Sequence, residues 1–376
     1  MQNEIIINSL SEYIDFISKN TSNDYYFRGE SGQFYDRISS GLRNSDKFDF
    51  NKKNKHRIPF LNYIKEFYME ISNRLSNIDR DNFISFAQHH GIPTNLLDVS
   101  RDPLVALYFA CQETNDSNEG YVYLFRKDNV LDITQYLPKY SMYNTSEFIL
   151  ELCNLEKRNL INTICLFQNF FKNREVLFKE LFLILIDERQ HIKINFNSNI
   201  FEEKVLQTFN RCCKNDKIDI YSLKEQDCFC DILKIINELK DRLDIKYNID
   251  ETINGNISYF VTIYTLLMIE YFKHIIEVGE PVFWINFLPI FKYETVSCFE
   301  RIKHQKGLFF YQCYLEYIEP VYELRGCPIQ RIESNQAIKI NNKENILKSL
   351  DKIGINRKTI FDDFDNIAKY IVERND

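Results

Sequence analysis

Arg28 ends the aromatic stretch Tyr25-Tyr26-Phe27 and is followed by Gly29. An arginine in that place can fork onto a phosphate, and the glycine lets the backbone come close to a ligand. A structural ion pair with a core carboxylate is the equally weighted alternative. Two of the six histidines, His89 and His90, stand side by side in Phe86–Cys111, FAQHHGIPTNLLDVSRDPLVALYFAC. Neighbouring residues on a regular element point different ways. One histidine is therefore read as a packing residue and the other as a ligand contact or general base, since imidazole titrates near working pH. Which of them faces the pocket stays open. Packing is the commoner role for a single histidine, but Gln88, Thr94, Asp98 and Ser100 lie close by and favour a site. Asp98 has the chemistry to orient a histidine, as the carboxylate of a triad does.

Arg301, His304 and Gln305 form a further constellation. Arg301 and Gln305 are four residues apart and share a face if helical, and Gly307 lets the chain enter a strand at Leu308. The plainer reading is a hydrogen-bonding pair that fixes a sheet edge. Glu316 and Glu319 are three apart, so on a strand they face opposite ways and make no acid pair. No serine or cysteine stands in a nucleophile-elbow context, which speaks against acyl transfer. Cys212-Cys213 and Cys228-x-Cys230 do not match the usual zinc-knuckle spacing, so no metal is expected.

The elements that must position these residues follow from periodicity and punctuation. Ser9 and Glu12 form a capping-box pattern before the stripe Leu10, Tyr13, Ile14 and Ile17, which predicts a helix over 9–20. Tyr25–Gly29 reads as a strand. Residues 30–57, with the basic run Lys52–Arg57, read as a long loop, and a helix runs from Pro59 to about Ser76. Gly91-Ile92-Pro93 marks a turn. Asp102 is a good N-cap with Pro103 at the first helical position, and Leu104, Leu107, Tyr108 and Cys111 make the stripe of a helix burying one face. A strand is expected at Tyr121–Phe125.

From 130 to 280 helical stripes dominate, such as Ile232, Ile236, Leu239 and Leu243. β-like runs return at Val282–Leu288, Leu308–Ile318 and Ala337–Ile340, and two helices split by Gly354 close the chain. The reading is an α+β fold: a small mixed or antiparallel sheet with packed helices, plus a large all-helical insert. Its parts are a core at 1–129, the insert at 130–280, and the core resumed at 281–376.

The totals agree with such a body. The chain has 376 residues with 44% hydrophobic and 15% aromatic content, enough for a sizeable core. Its 10 glycines argue against a glycine-rich phosphate loop. With a net charge of −7 a broad nucleic-acid face is not expected from charge alone, which leaves room for a local basic patch. No run approaches a membrane span, and no signal-like segment precedes Asn3-Glu4-Ile5. A cytoplasmic protein with reduced thiols is expected.

The stretch QHHGIPTNLLDVSRDPLVALYFA resembles the signature of the FRG domain, a mostly bacterial module named for a Phe-Arg-Gly near its start. Phe27-Arg28-Gly29 supplies that tripeptide. Arg301-Ile302-x-x-Gln305-x-Gly307-x-Phe309 is similar to the family's third block, and Ile346–Ile371 to its closing helices. The copy departs from the pattern in having Asn95 where the family usually has arginine, and Val99-Ser100 where tryptophan-threonine is common. The aromatic-Arg-Gly start also resembles the first motif of ADP-ribosyltransferases with an arginine–serine–glutamate triad. There the strand arginine holds a phosphate of NAD, a serine shapes the nicotinamide pocket and a glutamate steers the ribose. Arg28 then takes the first role and Thr94 or Ser100 the second. Gln305 stands where the acid is wanted, with no Glu-x-Glu or Gln-x-Glu nearby.

The resemblance implies an effector of a bacterial defence (phage defence) or toxin system acting on a nucleotide, NAD foremost, by ADP-ribosyl transfer or glycosidic cleavage. Catalysis is assigned to His89, His90, Asp98 and Gln305; ligand binding to Arg28, Gly29, Gln88, Thr94, Ser100 and Arg301. Expected partners are a nucleotide ligand, a nucleic-acid or protein acceptor, and a protein reached through the helical insert; no membrane is expected. The alternative is a non-catalytic sensor that binds a nucleotide or a nucleic-acid end with the same pocket.

Overall fold

Strand residues alternate between two apolar faces only when both faces are covered, and the centre of this chain shows that pattern. In Gly120–Arg126, Val122 and Leu124 bury into one cluster while Tyr121, Tyr123 and Phe125 bury into another. The computed structural model describes residues 5–21, 24–32, 37–43, 58–113, 118–137, 148–192, 198–214, 217–218, 225–249, 252–253, 255–278, 282–295, 300–315 and 327–375. The basic run Lys52–Arg57 and the acids Glu316 and Glu319 lie outside them.

The N-terminal part comprises β1 (Ile5–Ile7), α1 (Leu10–Asn20), β2 (Tyr25–Glu30), α2 (Pro59–Ile71), α3 (Asn77–Asp81), α4 (Phe83–His89), β3 (Leu96–Ser100), α5 (Pro103–Ala110), β4 (Gly120–Arg126) and β5 (Val130–Asp132). Helices then follow: α6 (Phe148–Leu152), α7 (Lys157–Phe171), α8 (Glu175–His191), α9 (Ser198–Cys212), α10 (Glu225–Arg242) and α11 (Asn256–Val278), with the short hairpin β6 (Cys213–Lys214) and β7 (Lys217–Ile218) between α9 and α10. The remainder is β8 (Trp284–Ile285), β9 (Ile290–Tyr293), α12 (Glu300–His304), β10 (Gly307–Tyr311), β11 (Ile329–Gln330), β12 (Gln336–Ile340), α13 (Lys343–Lys352), α14 (Arg357–Phe361) and α15 (Phe364–Asn375). The fold is α+β.

One eight-stranded sheet runs β1-β12-β4-β2-β3-β10-β9-β5, so segments far apart in sequence meet side by side. The β1–β12 and β5–β9 pairs are parallel and the other pairs are antiparallel. One face carries α1, α5 and α13, packed through Tyr13, Phe27, Val105, Leu107, Ile346 and Leu350. On the far half of the sheet, Leu96, Phe291, Phe309 and Tyr311 share a single buried cluster with α2, α4 and helices α6–α11.

The local reasons are visible. Ser9 Oγ accepts from Glu12 N at 3.3 Å and Asn8 N donates to Glu12 Oε2 at 2.8 Å, which starts α1 where the sequence places it. Asp102 Oδ1 accepts from Leu104 N at 2.9 Å with Pro103 in the first turn of α5. Glycine lets α5 lie close to the sheet. A Cβ at Gly29 would sit 1.8 Å from Ala106 O, and one at Gly120 2.0 Å from Ala110 O.

Four expectations need correction. Residues 130–132, expected at the start of the helical insert, form β5 at the sheet edge. Within Val282–Leu288 only Trp284–Ile285 is a strand, and the ladder on β10 comes from Ile290–Tyr293, a four-residue run too short to show a period. Helix α5 buries Val105 and Ala106 as well as Leu107 and Tyr108, so it is covered on nearly every side, as its lack of polar residues allows. Three helices close the chain, because Asp362 at φ 49 breaks the last segment after the turn at Gly354, φ 86.

Candidate functional site

The central sheet splits between β2 and β3. β2 pairs with β4 along its whole length, yet it meets β3 through the single pair Phe27↔Ser100. Beyond that pair the strands diverge, and their facing backbone groups need other partners. Arg28 supplies one: its Nη1 donates to Asp98 O at 2.7 Å, and its Nε pairs with Glu30 Oε1 at 2.7 Å. A cleft of about 220 Å³ opens at the split. Its lining combines apolar Phe27, Val105, Ala106 and Phe109 with polar Arg28, Asp98, Arg301 and Gln305.

Part of the lining is brought by α12 and its return into β10. Arg301 and Gln305 both line the cleft, as their spacing predicts. The Arg301 guanidinium lies 4.7 Å over the Phe361 ring, which in turn meets Phe109 edge-on at 6.0 Å. The closing helix α14 thus braces the arginine. Among the described residues the Arg301 guanidinium makes no hydrogen bond or ion pair. Gln305 Nε2 reaches Ile360 O at 3.4 Å.

Ser100 lines the cleft, but its hydroxyl is engaged in the framework. It donates to Gln305 O at 2.7 Å and accepts from Asp102 N at 2.9 Å. That pair of bonds ties β3 to the α12–β10 turn, and Lys306 Nζ adds an ion pair to Asp102 Oδ2 at 2.8 Å.

Gln88 stands behind the site. Its Nε2 donates to Asp98 Oδ2 at 3.0 Å, and its Oε1 accepts from the Thr94 hydroxyl. Thr94 is wholly buried and also accepts from Leu96 N at 3.1 Å, so it does not line the cleft. Asn95 is buried too and donates to Gln312 O at 3.1 Å. It joins a polar lattice in which Gln312 also reaches Ser39 N, Arg37 O and Gln330 O. Its position in this chain is structural.

Neither histidine lines the cleft. Helix α4 ends at His89, and Gly91 at φ 88 turns the chain back. His90 is exposed and rests on Phe86, centroids 4.5 Å apart, beside Phe67 at 6.2 Å. His89 is half-buried near the rim. Burial, then the neighbouring His90 and Arg301, push its pKa below the ordinary histidine value, and Asp363 opposes them. The structure therefore gathers Arg28, Gly29, Asp98, Ser100, Arg301 and Gln305 in one place. It leaves Gln88 and Thr94 as supports, with His89 and His90 outside.

Sequence reasoning missed Glu30, Phe109 and Phe361. Glu30 carried a signal, since it is two residues from Arg28 and so on the same strand face. Phe361 carried none, because it arrives from a distant helix.

Residues 23–119 match the FRG domain family. The chain carries an FRG domain. The matched FRG segment holds β2, α4, β3 and α5, hence Arg28, Gly29 and Asp98, while Arg301, Gln305 and Phe361 lie beyond it. No curated protein and no solved structure matches the chain. No helix of the described residues is long and apolar enough to cross a membrane.

Proposed function

We propose that the FRG cleft binds a nucleotide, NAD foremost, and supports cleavage of its glycosidic bond. The supporting observation is the convergence of two arginines, one carboxylate and one carboxamide on a single small cleft that is otherwise lined by apolar side chains. Arg28 and Arg301 supply cationic donors for a phosphate. Asp98 stands where a carboxylate can orient a ribose hydroxyl and stabilise positive charge developing on the ribosyl carbon as the bond to nicotinamide breaks. Gln305 orients the ribose through its amide. The cleft is smaller than the roughly 300–1,000 Å³ of pockets that enclose drug-sized ligands. It accommodates the phosphate–ribose portion, with the rest of the dinucleotide toward the mouth. The acceptor is water, a protein or a nucleic acid, and helices α6–α11 offer the partner-facing surface. The setting is an effector of a bacterial defence or toxin system, in the cytoplasm.

Binding without turnover is the second reading. It is favoured by the Ser100 hydroxyl being held by Gln305 O and by both histidines lying outside the cleft. A sensor needs the anion grip without a base.

Nicotinamide release from NAD, followed by mass spectrometry with and without RNA, DNA and cell lysate, separates the two. The enzymatic reading expects release that Arg301→Ala and Asp98→Asn abolish while the melting temperature holds. Absence of release under every condition overturns it. Saturable NAD binding that Arg301→Ala weakens then establishes the sensor.

A further inference from the structure

A second cleft, of about 250 Å³, lies where the turn after β5 meets α6 and α7. Its floor is apolar, with Phe148, Leu152 and Leu166 all buried. Its walls are carboxamides: Gln135 from the turn, and Asn159 and Asn162 from α7. Asn159, Asn162, Thr163 and Leu166 fall at i, i+3, i+4 and i+7, so one face of α7 presents them together. Tyr136 stands at the edge, 48% exposed, and Glu151 is the one charged group among the described lining residues.

Thr163 is the telling residue. It is only 5% exposed, yet among the described residues its hydroxyl makes no hydrogen bond. Helical threonines usually satisfy themselves on the carbonyl four residues back, as Thr262 and Thr265 do on Ser258 O and Val261 O at 2.8 Å each. Thr163 instead keeps its hydroxyl for the cleft. The side-chain amides of Gln135, Asn159 and Asn162 likewise have no protein partner among the described residues.

We infer that this cleft is a binding site for a neutral purine nucleoside, adenosine in preference. A carboxamide presents a donor and an acceptor in one plane, the match for the N6 and N7 edge of adenine. The apolar floor and the Tyr136 ring suit a flat heterocycle. Among the described lining residues there is no cation, so the cleft offers a phosphate no ionic grip. It therefore selects nucleoside over nucleotide, the reverse of the arginine-bearing cleft.

Calorimetric titration of Arg301→Ala protein, which disables the first cleft without breaking a buried ion pair, isolates this site from the other one. Adenosine is expected to bind with one-site stoichiometry, and AMP at least tenfold more weakly. Asn159→Ala and Thr163→Val, made in that background, are each expected to weaken adenosine at least tenfold with circular dichroism unchanged. Thr163→Val keeps the side-chain shape and removes only the hydroxyl. Absent adenosine binding, binding unaltered in both variants, or equal affinity for AMP overturns the proposal. Because the assay involves no NAD, it can succeed or fail whatever the first cleft does.

Discussion

Arg28 Nε lies 2.7 Å from Glu30 Oε1 while its Nη1 donates to Asp98 O, so β2 and β3 hold two of the three guanidinium nitrogens. Nη2 makes no hydrogen bond among the described residues and is the one left to the cleft. Glu30 has a side chain only 4% exposed, and its Oε2 is buried without a partner among the described residues. Arg28 is thus both the ion-paired residue and the candidate anion contact, the two readings its sequence position left in balance.

A consequence concerns Arg28→Ala. Removing one partner of a buried pair leaves an uncompensated charge, at a cost of about 3–5 kcal/mol. A fall in melting temperature does not distinguish packing from binding at this residue. The expected outcome is that Arg28→Ala is strongly destabilised in urea, and that adding Glu30→Gln restores most of the loss while ligand binding stays absent. Recovery of binding in the double variant would remove Arg28 from the site.

Gly29 is constrained from the other side. The Cβ of Gly29→Ala would meet backbone, Ala106 O at 1.8 Å, and a helix carbonyl cannot rotate away as a side-chain tip can. Overpacking of a core typically costs about 1–3 kcal/mol, and a backbone clash belongs at or beyond the upper end. Thermal unfolding of Gly29→Ala should show a large fall in melting temperature or no folded protein. Gly91→Ala provides the contrast: its φ of 88 strains a side chain, but nothing lies within 4 Å of the added atom. The loss there should be smaller.

What the sequence made legible was set by how local its causes were. Ser9, Asp102 and Pro103 act within a few residues, so the starts of α1 and α5 could be read. The pairing of Arg301 with Gln305 followed from helical spacing, and both reach the cleft. The order of the sheet was not legible, because β2 is joined to β4 and β3 by contacts between distant segments. The histidines looked chemical because of their type. Their placement follows from where α4 ends: Gln88 reaches Asp98 while His90 rests on Phe86, just before the left-handed turn at Gly91.

In the helical part, Arg189 is fully buried among α8, α9 and α11. Its Nη1 donates to Leu267 O at 2.9 Å, and its Nη2 bridges Glu202 Oε1 at 3.1 Å and Glu270 Oε2 at 2.7 Å. Arg242 pairs with the other Glu270 oxygen at 2.6 Å. Arg189→Met strands Glu202, whose Oε2 already has no partner among the described residues, and should cost about 3–5 kcal/mol in urea unfolding. Arg189→Met with Glu202→Gln should recover much of it, since Glu270 keeps Arg242. A single variant as stable as wild type would show that the network contributes nothing.

His89 gives the fold a pH dependence whose sign is fixed by its environment. Burial, with His90 and Arg301 nearby, holds its pKa below the ordinary value of 6.5 in the folded state. Above that pH both folded and unfolded chains carry a neutral imidazole and the residue contributes no difference. As pH falls through 6.5 the unfolded chain takes up a proton first, so stability is lost until the folded-state pKa is reached. Melting temperature measured from pH 7.5 to 5.5 should therefore decline toward the acid end, a window above most carboxylate titrations. His89→Gln should flatten that decline. An unchanged slope in His89→Gln would assign the pH dependence to other groups and leave the rim histidine without a role in stability.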